Sequence, residues 1–444
     1  MMSWKKLTIE FDHTKCLLVY GPARLRVISG DAYVFAYHLL PGKSIFVKRY
    51  KCMPVETDDH VKLELMYGGE DCKLVSMKEN VGTKSWEKVV SDYMDSCGDA
   101  IVVGSVDSGK TSFTTFLVNK LLRKNIVNSV GVIDADPGQG DIGVPGFIGL
   151  VLTEKPIFDL EEVKPYALQF FGSLSPHPYE VVLEKCISKL IEKARKSCDV
   201  VIINFHGWTS SEKAFEHVKR VILQNGIQNV FAIDVKDLAS FLKSNIESIR
   251  IYYLEKPQTY QRSRKIRKEI RQRKYKRWIN DCDGLKLIRV PINLVELYSQ
   301  RVRGDIVWIS EDVSLYLPQI IGDFYEENLD IQKVNWIWKL HGEGKSPYEE
   351  YIIKLTKEYI FRLYATNTKR IYILGKRCGI IVGLYHKGSW YMGILESFNI
   401  KDNELFIYVP KFMDLRDIKS VKIGRVLLNC NGDELGVLPA IKLK

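Results

Sequence analysis

The stretch Gly104-Ser105-Val106-Asp107-Ser108-Gly109-Lys110-Thr111 constrains this chain more than any other, because of what stands on either side of it. Before it runs Ala100-Ile101-Val102-Val103, which reads as a buried parallel strand. After it, Phe113, Phe116, Leu117 and Leu121 recur at the spacing of a helix face. Gly104 and Gly109 let the backbone between strand and helix curl until successive N–H groups point inward, and the helix adds its positive N-terminal end. A polyphosphate fits such a cradle. Lys110 can reach the outer phosphates as a point charge, and the Thr111 hydroxyl stands where it can ligate a magnesium ion between them. With Ser112 in the first helical turn, these residues form a candidate nucleotide site, and the fold around them is α/β.

Buried-strand candidates recur at Val130 to Ile133, Val200 to Ile203, Val230 to Ile233 and Leu285 to Val290. Helical patterns separate several of them. In the clearest, Tyr179 to Lys196, the side chains Val182, Leu183, Cys186, Ile187, Leu190 and Ile191 share one face. Strand and helix in alternation predict a mostly parallel sheet, with ligands at the carboxyl ends of its strands. Upstream, from Lys5 to about Met77, short strand-like runs alternate with turn signals and no helices, which predicts a small β-sandwich. Beyond about Val307 the chain turns β-rich again, with turns at Lys387-Gly388, Lys401-Asp402-Asn403 and Asn431-Gly432. The reading is therefore three domains: 1–85, a β-sandwich; 86–306, the phosphate-loop domain; and 307–444, a β-rich domain.

A length of 444 residues exceeds one compact core, in keeping with that division. The formal net charge of +11 favours a polyanionic partner. Nine scattered cysteines, none spaced as CxxC, fit reduced thiols in an intracellular protein better than a zinc site or a disulfide framework. The N-terminal stretch lacks the long apolar core of a signal peptide, and no run approaches the ~18 apolar residues of a membrane span. The expected location is cytoplasmic, or nuclear in a eukaryotic cell, with no membrane association.

Polar residues follow the strand candidates. Asp134-Ala135-Asp136-Pro137-Gly138-Gln139-Gly140 comes after the second; one carboxylate there can hold the hydration shell of a magnesium ion while the other accepts a proton from an attacking hydroxyl. Which does which is open. The loop Phe170-Phe171-Gly172-Ser173-Leu174-Ser175-Pro176-His177-Pro178-Tyr179 could touch a sugar or base, and a structural loop explains it as well. Phe205-His206-Gly207-Trp208 follows the third strand. An exposed Trp208 beside a glycine would stack a base, worth ~1–3 kcal/mol, while core packing is the ordinary alternative; His206 reads as a hydrogen-bonded loop histidine. The densest charge run, Gln261 to Asn280, places Arg264, Arg267, Arg271 and Lys274 along one helical face with Ile266 and Ile270 as a narrow seam. Such a run is a solvated face, a nuclear-localisation signal, a general nucleic-acid patch or, within a phosphate-loop domain, a mobile lid spanning about 258–280 that supplies arginines to a transferring phosphoryl group.

Together these motifs resemble the polynucleotide 5′-hydroxyl kinase family, which includes the kinase subunit of eukaryotic pre-mRNA cleavage factor, nucleolar ribosomal-RNA relatives and simpler archaeal enzymes. Gly21 to Gly30 and the late Gly383-Leu384-Tyr385, Ile423-Gly424-Arg425 and Asn431 to Leu435 extend the resemblance over nearly the whole chain. The resemblance implies that ATP and magnesium are held by Lys110 and Thr111, with Asp134 on the metal, and that Asp134 or Asp136 activates the RNA 5′-hydroxyl. It implies that Arg267 and Arg271 stabilise the γ-phosphoryl group in flight. Gln139, Gly207 and Trp208 then face the RNA, with Trp208 clamping the terminal base. One position departs: the family clasp usually reads Thr-x-Gly-Trp, and Phe205 stands where the threonine would be.

The leading expectation is an active kinase that moves the ATP γ-phosphate onto a single-stranded or frayed 5′-hydroxyl end of RNA, with DNA left open and RNA-processing proteins as further partners. An ATP-binding scaffold in an RNA-processing complex and a phosphate-loop NTPase switch are the alternatives. An intact lid argues against the first of these, and a lid with a base clasp against the second.

Overall fold

The computed structural model describes residues 4–68, 73–76, 83–257, 261–291, 337–340, 348–354, 360–366, 370–373, 378–399 and 404–437. The turn expected at Lys401-Asp402-Asn403 and the first residues of the expected lid, 258–260, lie outside them.

A seven-stranded sheet carries the phosphate loop. Its order is Ala167–Phe170, Phe147–Thr153, Val130–Ala135, Val200–Phe205, Ala100–Gly104, Asn229–Ile233 and Arg250–Leu254. The last five strands of that order pair in parallel, and the first two join antiparallel at one edge. Every residue of Ala100–Gly104, Val130–Ala135 and Val200–Phe205 is buried, as apolar runs covered by helices on both faces should be. Helices Lys110–Arg123, Glu180–Arg195, Glu212–Asn225 and Lys236–Asn245 supply that cover. The expected helix over Tyr179 to Lys196 forms as Glu180–Arg195, and the apolar face read from its period is buried, together with Ala194 and the carboxylate of Glu184. The fold is mixed α/β with a parallel-rich sheet.

The expected strand at Leu285 to Val290 does form, as Leu285–Pro291, but in a different sheet. It pairs antiparallel with Glu404–Pro410 in the ten-stranded sheet of the late chain, so the reading of it as a strand of the parallel sheet is corrected. The reason is visible in its side chains. Lys286 and Arg289 interrupt the apolar run and Leu287 is 42% exposed, whereas strands of the parallel sheet must be apolar on both faces.

Near the N-terminus, Lys5–Asp12, His60–Tyr67, Ala23–Ser29 and Ser44–Val47 form an antiparallel sheet in that order, beside a three-stranded sheet of Cys52–Val55, Lys15–Tyr20 and Lys73–Ser76. Burial alternates along Ala23–Ser29 and His60–Tyr67, the signature of sheets covered on one face only. These strands are fastened to the phosphate-loop helix by Asn119, which is fully buried. Its amide donates to Phe35 O and Ile157 O at 2.8 Å and accepts from Ile157 N at 2.6 Å. Beside it, Trp86 meets Phe113 and Phe116 edge-on at centroid distances of 5.4 and 5.5 Å.

The late sheet packs on the antiparallel edge of the central one. A Cβ on Gly146 would stand 2.7 Å from Ile381 Cδ1, and one on Gly383 would overlap the ring of Phe170, so glycine is what permits this approach. Arg425 N donates to Gly172 O at 2.8 Å across the same seam. Among the described residues no helix is long and apolar enough to cross a membrane.

Candidate active site

The phosphate loop opens on Gly104, where a Cβ would meet Ser108 Oγ at 2.5 Å, and closes on Gly109 at φ +92, the left-handed region glycine tolerates best. Asp107 also lies at positive φ, and Val106 stands out at 43% exposure. Ser108 Oγ is buried with no hydrogen-bond partner in the protein. Lys110 lies folded back on the loop, its ammonium donating to Gly104 O at 2.9 Å and Ser105 O at 2.8 Å. Burial pulls this amine down to about 8, against the attraction of Asp136, Asp107 and Asp134. An arriving polyphosphate would stabilise its charge and offer it better acceptors than two carbonyls.

Asn204 joins the next two candidates. Its Nδ2 donates to Thr111 Oγ1 at 3.1 Å and to Asp134 Oδ1 at 3.2 Å. Asn204 and Asp134 are register partners in adjacent parallel strands, and Thr111 opens the helix after the strand on the other side of Asn204. The pair Thr111 and Asp134 thus offers hydroxyl and carboxylate oxygens on one side of the cradle, a donor set that suits a hard divalent ion such as magnesium. Asp134 also accepts from the backbone N–H of Asp141, and from that of Ile142 at 3.3 Å. Burial, with Asp141 and Asp136 close by, pushes its carboxyl up to about 7, and a bound cation would reverse that. Asp136 turns one oxygen to its own loop, where Oδ1 accepts from Gly138 N at 3.0 Å and Gln139 N at 2.9 Å. Gln139 returns its amide to Gly138 O at 2.7 Å.

These groups line a cavity of about 200 Å³. Lys110, Thr111, Ser112, Asp134, Asp136 and Gln139 form its polar side, and Leu18, Phe35, Met53, Pro54, Trp86 and Phe158 form an apolar wall. Phosphates on one side and a flat heterocycle on the other are what such a cavity can hold.

The turn after Val200–Phe205 lies directly against the loop. A Cβ on Gly207 would stand 2.6 Å from Val106 Cγ2 and 2.9 Å from Val106 Cα, so only glycine fits there. Trp208 follows, half-buried rather than in the core, with the ring of His177 at a centroid distance of 5.6 Å. The loop containing His177 therefore shares a wall with the tryptophan, which sequence alone left open.

The basic run forms the helix Arg264–Asp281, capped by Ser263 Oγ, which accepts from Ile266 N at 3.3 Å. Its basic face is the packed face. Arg267 donates to Asp107 Oδ2 at 2.9 Å, Arg271 binds Glu434 through both Nε and Nη2 at 2.7 Å, and Lys274 meets Asp141 at 2.9 Å. Spaced by four and three residues, these cations meet the phosphate loop, the late sheet and the loop after Asp134 in turn. The structure brings Arg267 to the phosphate loop through Asp107, while the fork of Arg271 is engaged by Glu434 of the late sheet, close enough to feel the charge of Asp136. Arg267 Nε is buried without a partner.

Sequence reasoning missed several residues of the site. Lys51 donates to Asp159 Oδ1 at 2.6 Å and lies 3.4 Å from Asp141 Oδ2. Burial opposes the charge of Asp141, yet Lys274 and Lys51 hold it well below the usual carboxylate range. Arg262 N joins Arg267 on Asp107, at 3.1 Å. Neither Asn204 nor Lys51 carries a local motif; for Asn204 the available signal was its place at the end of an apolar strand, which the strand-end rule covers.

Comparison with known proteins agrees with this geometry. Residues 104–281 match the family model described as the mRNA cleavage and polyadenylation factor CLP1 P-loop. The chain is 27% identical over 343 residues to a polyribonucleotide 5′-hydroxyl-kinase of Pyrococcus abyssi, covering 76% of this chain and 90% of that protein. To a protein of the same description in Methanocaldococcus jannaschii it is 29% identical over 348 residues, covering 76% and 89%. A CLP1 homologue of Culex quinquefasciatus is 26% identical over 207 residues, 44% of this chain and 48% of that one. Among solved structures, the Clp1p chain described as part of a wild-type Clp1p-Pcf11p (454-563) complex superposes with a TM-score of 0.62 over 96% of this chain and 98% of that one, at 12% identity, a likeness of fold. Residues 104–281 are thus a CLP1-type P-loop domain, and the resemblance of the chain to the polynucleotide 5′-hydroxyl kinase family holds over most of its length.

Proposed function

We propose that this chain is an ATP-dependent polynucleotide 5′-hydroxyl kinase acting on RNA, with single-stranded or frayed 5′ ends as acceptors. The observation that carries the reading is the seat of Gly207 against Val106, which sets a half-buried tryptophan beside the phosphate loop. A nucleotide switch has no need of such a platform. The relatives described as polyribonucleotide 5′-hydroxyl-kinases cover most of the chain and favour the kinase over a scaffold or a switch. On this reading the ATP phosphates lie in the loop Gly104 to Ser112, with the base against the apolar wall formed by Phe35, Met53 and Phe158. Thr111 and Asp134 would hold the magnesium ion, which would neutralise charge on the outer phosphates.

Transfer then needs little covalent help from the protein. The acceptor 5′-oxygen attacks the γ-phosphorus as the bond to the β-bridging oxygen breaks, and ADP leaves with that electron pair. Asp136 takes the hydroxyl proton, because Asp134 already accepts from four N–H donors and would carry the metal. Lys110 leaves the carbonyls of Gly104 and Ser105 for the phosphate oxygens, and Arg267 brings the lid helix onto the transferring group. Arg271 anchors that helix through Glu434. Trp208, with Gln139 nearby on the strand-end loop, receives the terminal nucleotide. The β-rich segments 1–85 and 307–444 act as flanking domains and offer surfaces to RNA-processing proteins.

Incubation with γ-labelled ATP, magnesium and a 5′-hydroxyl oligoribonucleotide tests the reading. Label should appear on the oligonucleotide and be absent when its 5′ end is already phosphorylated. Label released only as inorganic phosphate would make the chain an NTPase switch, and no turnover at all would make it a scaffold.

A further inference from the structure

Behind Trp208 runs a buried chain of hydrogen bonds whose protons can be placed from the donors alone. Trp208 N, which can only donate, lies 3.3 Å from His206 Nδ1. His206 therefore accepts there and carries its proton on Nε2. Burial, reinforced by His217 and Lys110, holds His206 well below its ordinary value, so the ring is neutral. Its Nε2 lies 3.0 Å from His217 Nε2, with the ring planes parallel to within 7° and the centroids 5.1 Å apart, a spacing that fits a direct bond between the two nitrogens. His217 must accept at that atom, which leaves its proton on Nδ1, 2.7 Å from Glu184 Oε1. The Glu184 carboxylate ends the chain. Burial opposes its charge, but the bonds from His217 and from Arg220, whose Nη2 stands 2.8 Å away, hold it below its usual range.

Every donor along this path meets an acceptor, and every tautomer is fixed by the next. His206 is 2% and His217 0% exposed, so no solvent exchange competes with the arrangement. The path begins at the backbone of the acceptor turn and ends on two helices, Glu180–Arg195 and Glu212–Asn225, behind the sheet. It also occupies the turn at which Phe205, a side chain without a hydroxyl, precedes His206.

We propose that His206 and His217 are positioning residues of the acceptor site: they fix the turn 205–208, so that the Trp208 ring is held ready for the terminal base of a single-stranded polynucleotide. The inference rests on the reading of Trp208 as the acceptor platform. Neither histidine touches substrate. What they supply is pre-organisation, which acts on acceptor binding and leaves the nucleotide side alone.

The test reads binding rather than turnover. Fluorescence anisotropy of a labelled 5′-hydroxyl single-stranded oligonucleotide gives its Kd for the wild-type chain, Trp208→Ala, His206→Phe, His217→Phe and His206→Asn, with ATP affinity and thermal unfolding measured beside it. His206→Phe keeps a ring against Trp208 and removes both nitrogens, and His217→Phe breaks the path one step further back. Both should weaken oligonucleotide binding by about tenfold, within the span of losing one base–aromatic stack, and leave ATP affinity within about threefold. His206→Asn keeps an acceptor for Trp208 N and should recover most of the loss. Oligonucleotide affinity unchanged in His206→Phe, or ATP and oligonucleotide weakened alike in both phenylalanine variants, would overturn the proposal. Trp208→Ala with wild-type oligonucleotide affinity would overturn it as well, together with the acceptor-platform reading. A wild-type chain that binds the oligonucleotide and transfers no phosphate would instead remove the kinase reading and leave the positioning role to the affinities.

Discussion

Asp134 is the residue at which the cost of building this site is most exposed. Its carboxyl is buried among N–H donors with Asp141 and Asp136 nearby, and it titrates at about 7 instead of the ordinary 3.8. Below 3.8 folded and unfolded chains both hold the proton; between 3.8 and 7 only the folded chain does. Stability from this group is therefore full at low pH and is lost as pH rises through 7. Without magnesium or nucleotide, the melting temperature of Asp134→Asn relative to wild type should climb between about pH 5 and about pH 8, on the order of several degrees. Any hydrogen bond the amide fails to make shifts both ends equally, so the slope alone reads the titration. A difference flat with pH would mean that Asp134 is an ordinary carboxylate. Asp134 was legible in the sequence as a candidate, since it sits at a strand end. Its partner Asn204 was not, because the register that makes them neighbours joins strands 70 residues apart.

At the scale of the element, the helix Arg264–Asp281 carries two roles on one face. Arg267 sits on the phosphate loop through Asp107, and Arg267→Ala should lower kcat by roughly 10²-fold, as loss of a contact made mainly in the transition state does. Lys265→Ala, at an exposed position of the same helix, should stay near wild type in kcat. Arg271 behaves differently. Removing it leaves Glu434 buried without its partner, at a cost of about 3–5 kcal/mol in stability. The double variant Arg271→Ala with Glu434→Ala should recover most of that stability and bring kcat back to within about threefold of wild type. A double variant that is stable yet as slow as Arg267→Ala would move Arg271 into the transferring site. The helix itself was legible from its i, i+4 charge spacing, and its partners were not. Asp107, Asp141 and Glu434 lie far from it in sequence, and spacing on one helix says nothing of what the facing elements present. The strand Leu285–Pro291 was misassigned for the same reason, its partner lying at Glu404–Pro410.

For the whole molecule, the site lies at the strand ends of the central sheet, walled by residues of the N-terminal segment such as Leu18, Met53 and Pro54. Lys48 and Lys51 from the N-terminal segment enter a group of acids with Asp141, Asp159 and Glu161, Lys274 joins it from the helix Arg264–Asp281, and the late sheet holds that helix through Glu434. A chain of net charge +11 thus spends several of its cations on internal pairs that fix the walls of the cavity, and the remainder suits a polyanionic acceptor. On the kinase reading, assembly of a phosphoryl-transfer site around Lys110 is the work of the strand ends of the parallel sheet. This is tested most directly by single-turnover transfer from saturating ATP to a 5′-hydroxyl oligoribonucleotide, Lys110→Ala beside wild type, with thermal unfolding as the check on fold. The account predicts a rate lower by about 10²–10³ with an unchanged unfolding temperature, because the Lys110 ammonium touches only loop carbonyls until phosphate arrives. Near-wild-type transfer by a folded Lys110→Ala chain would contradict it.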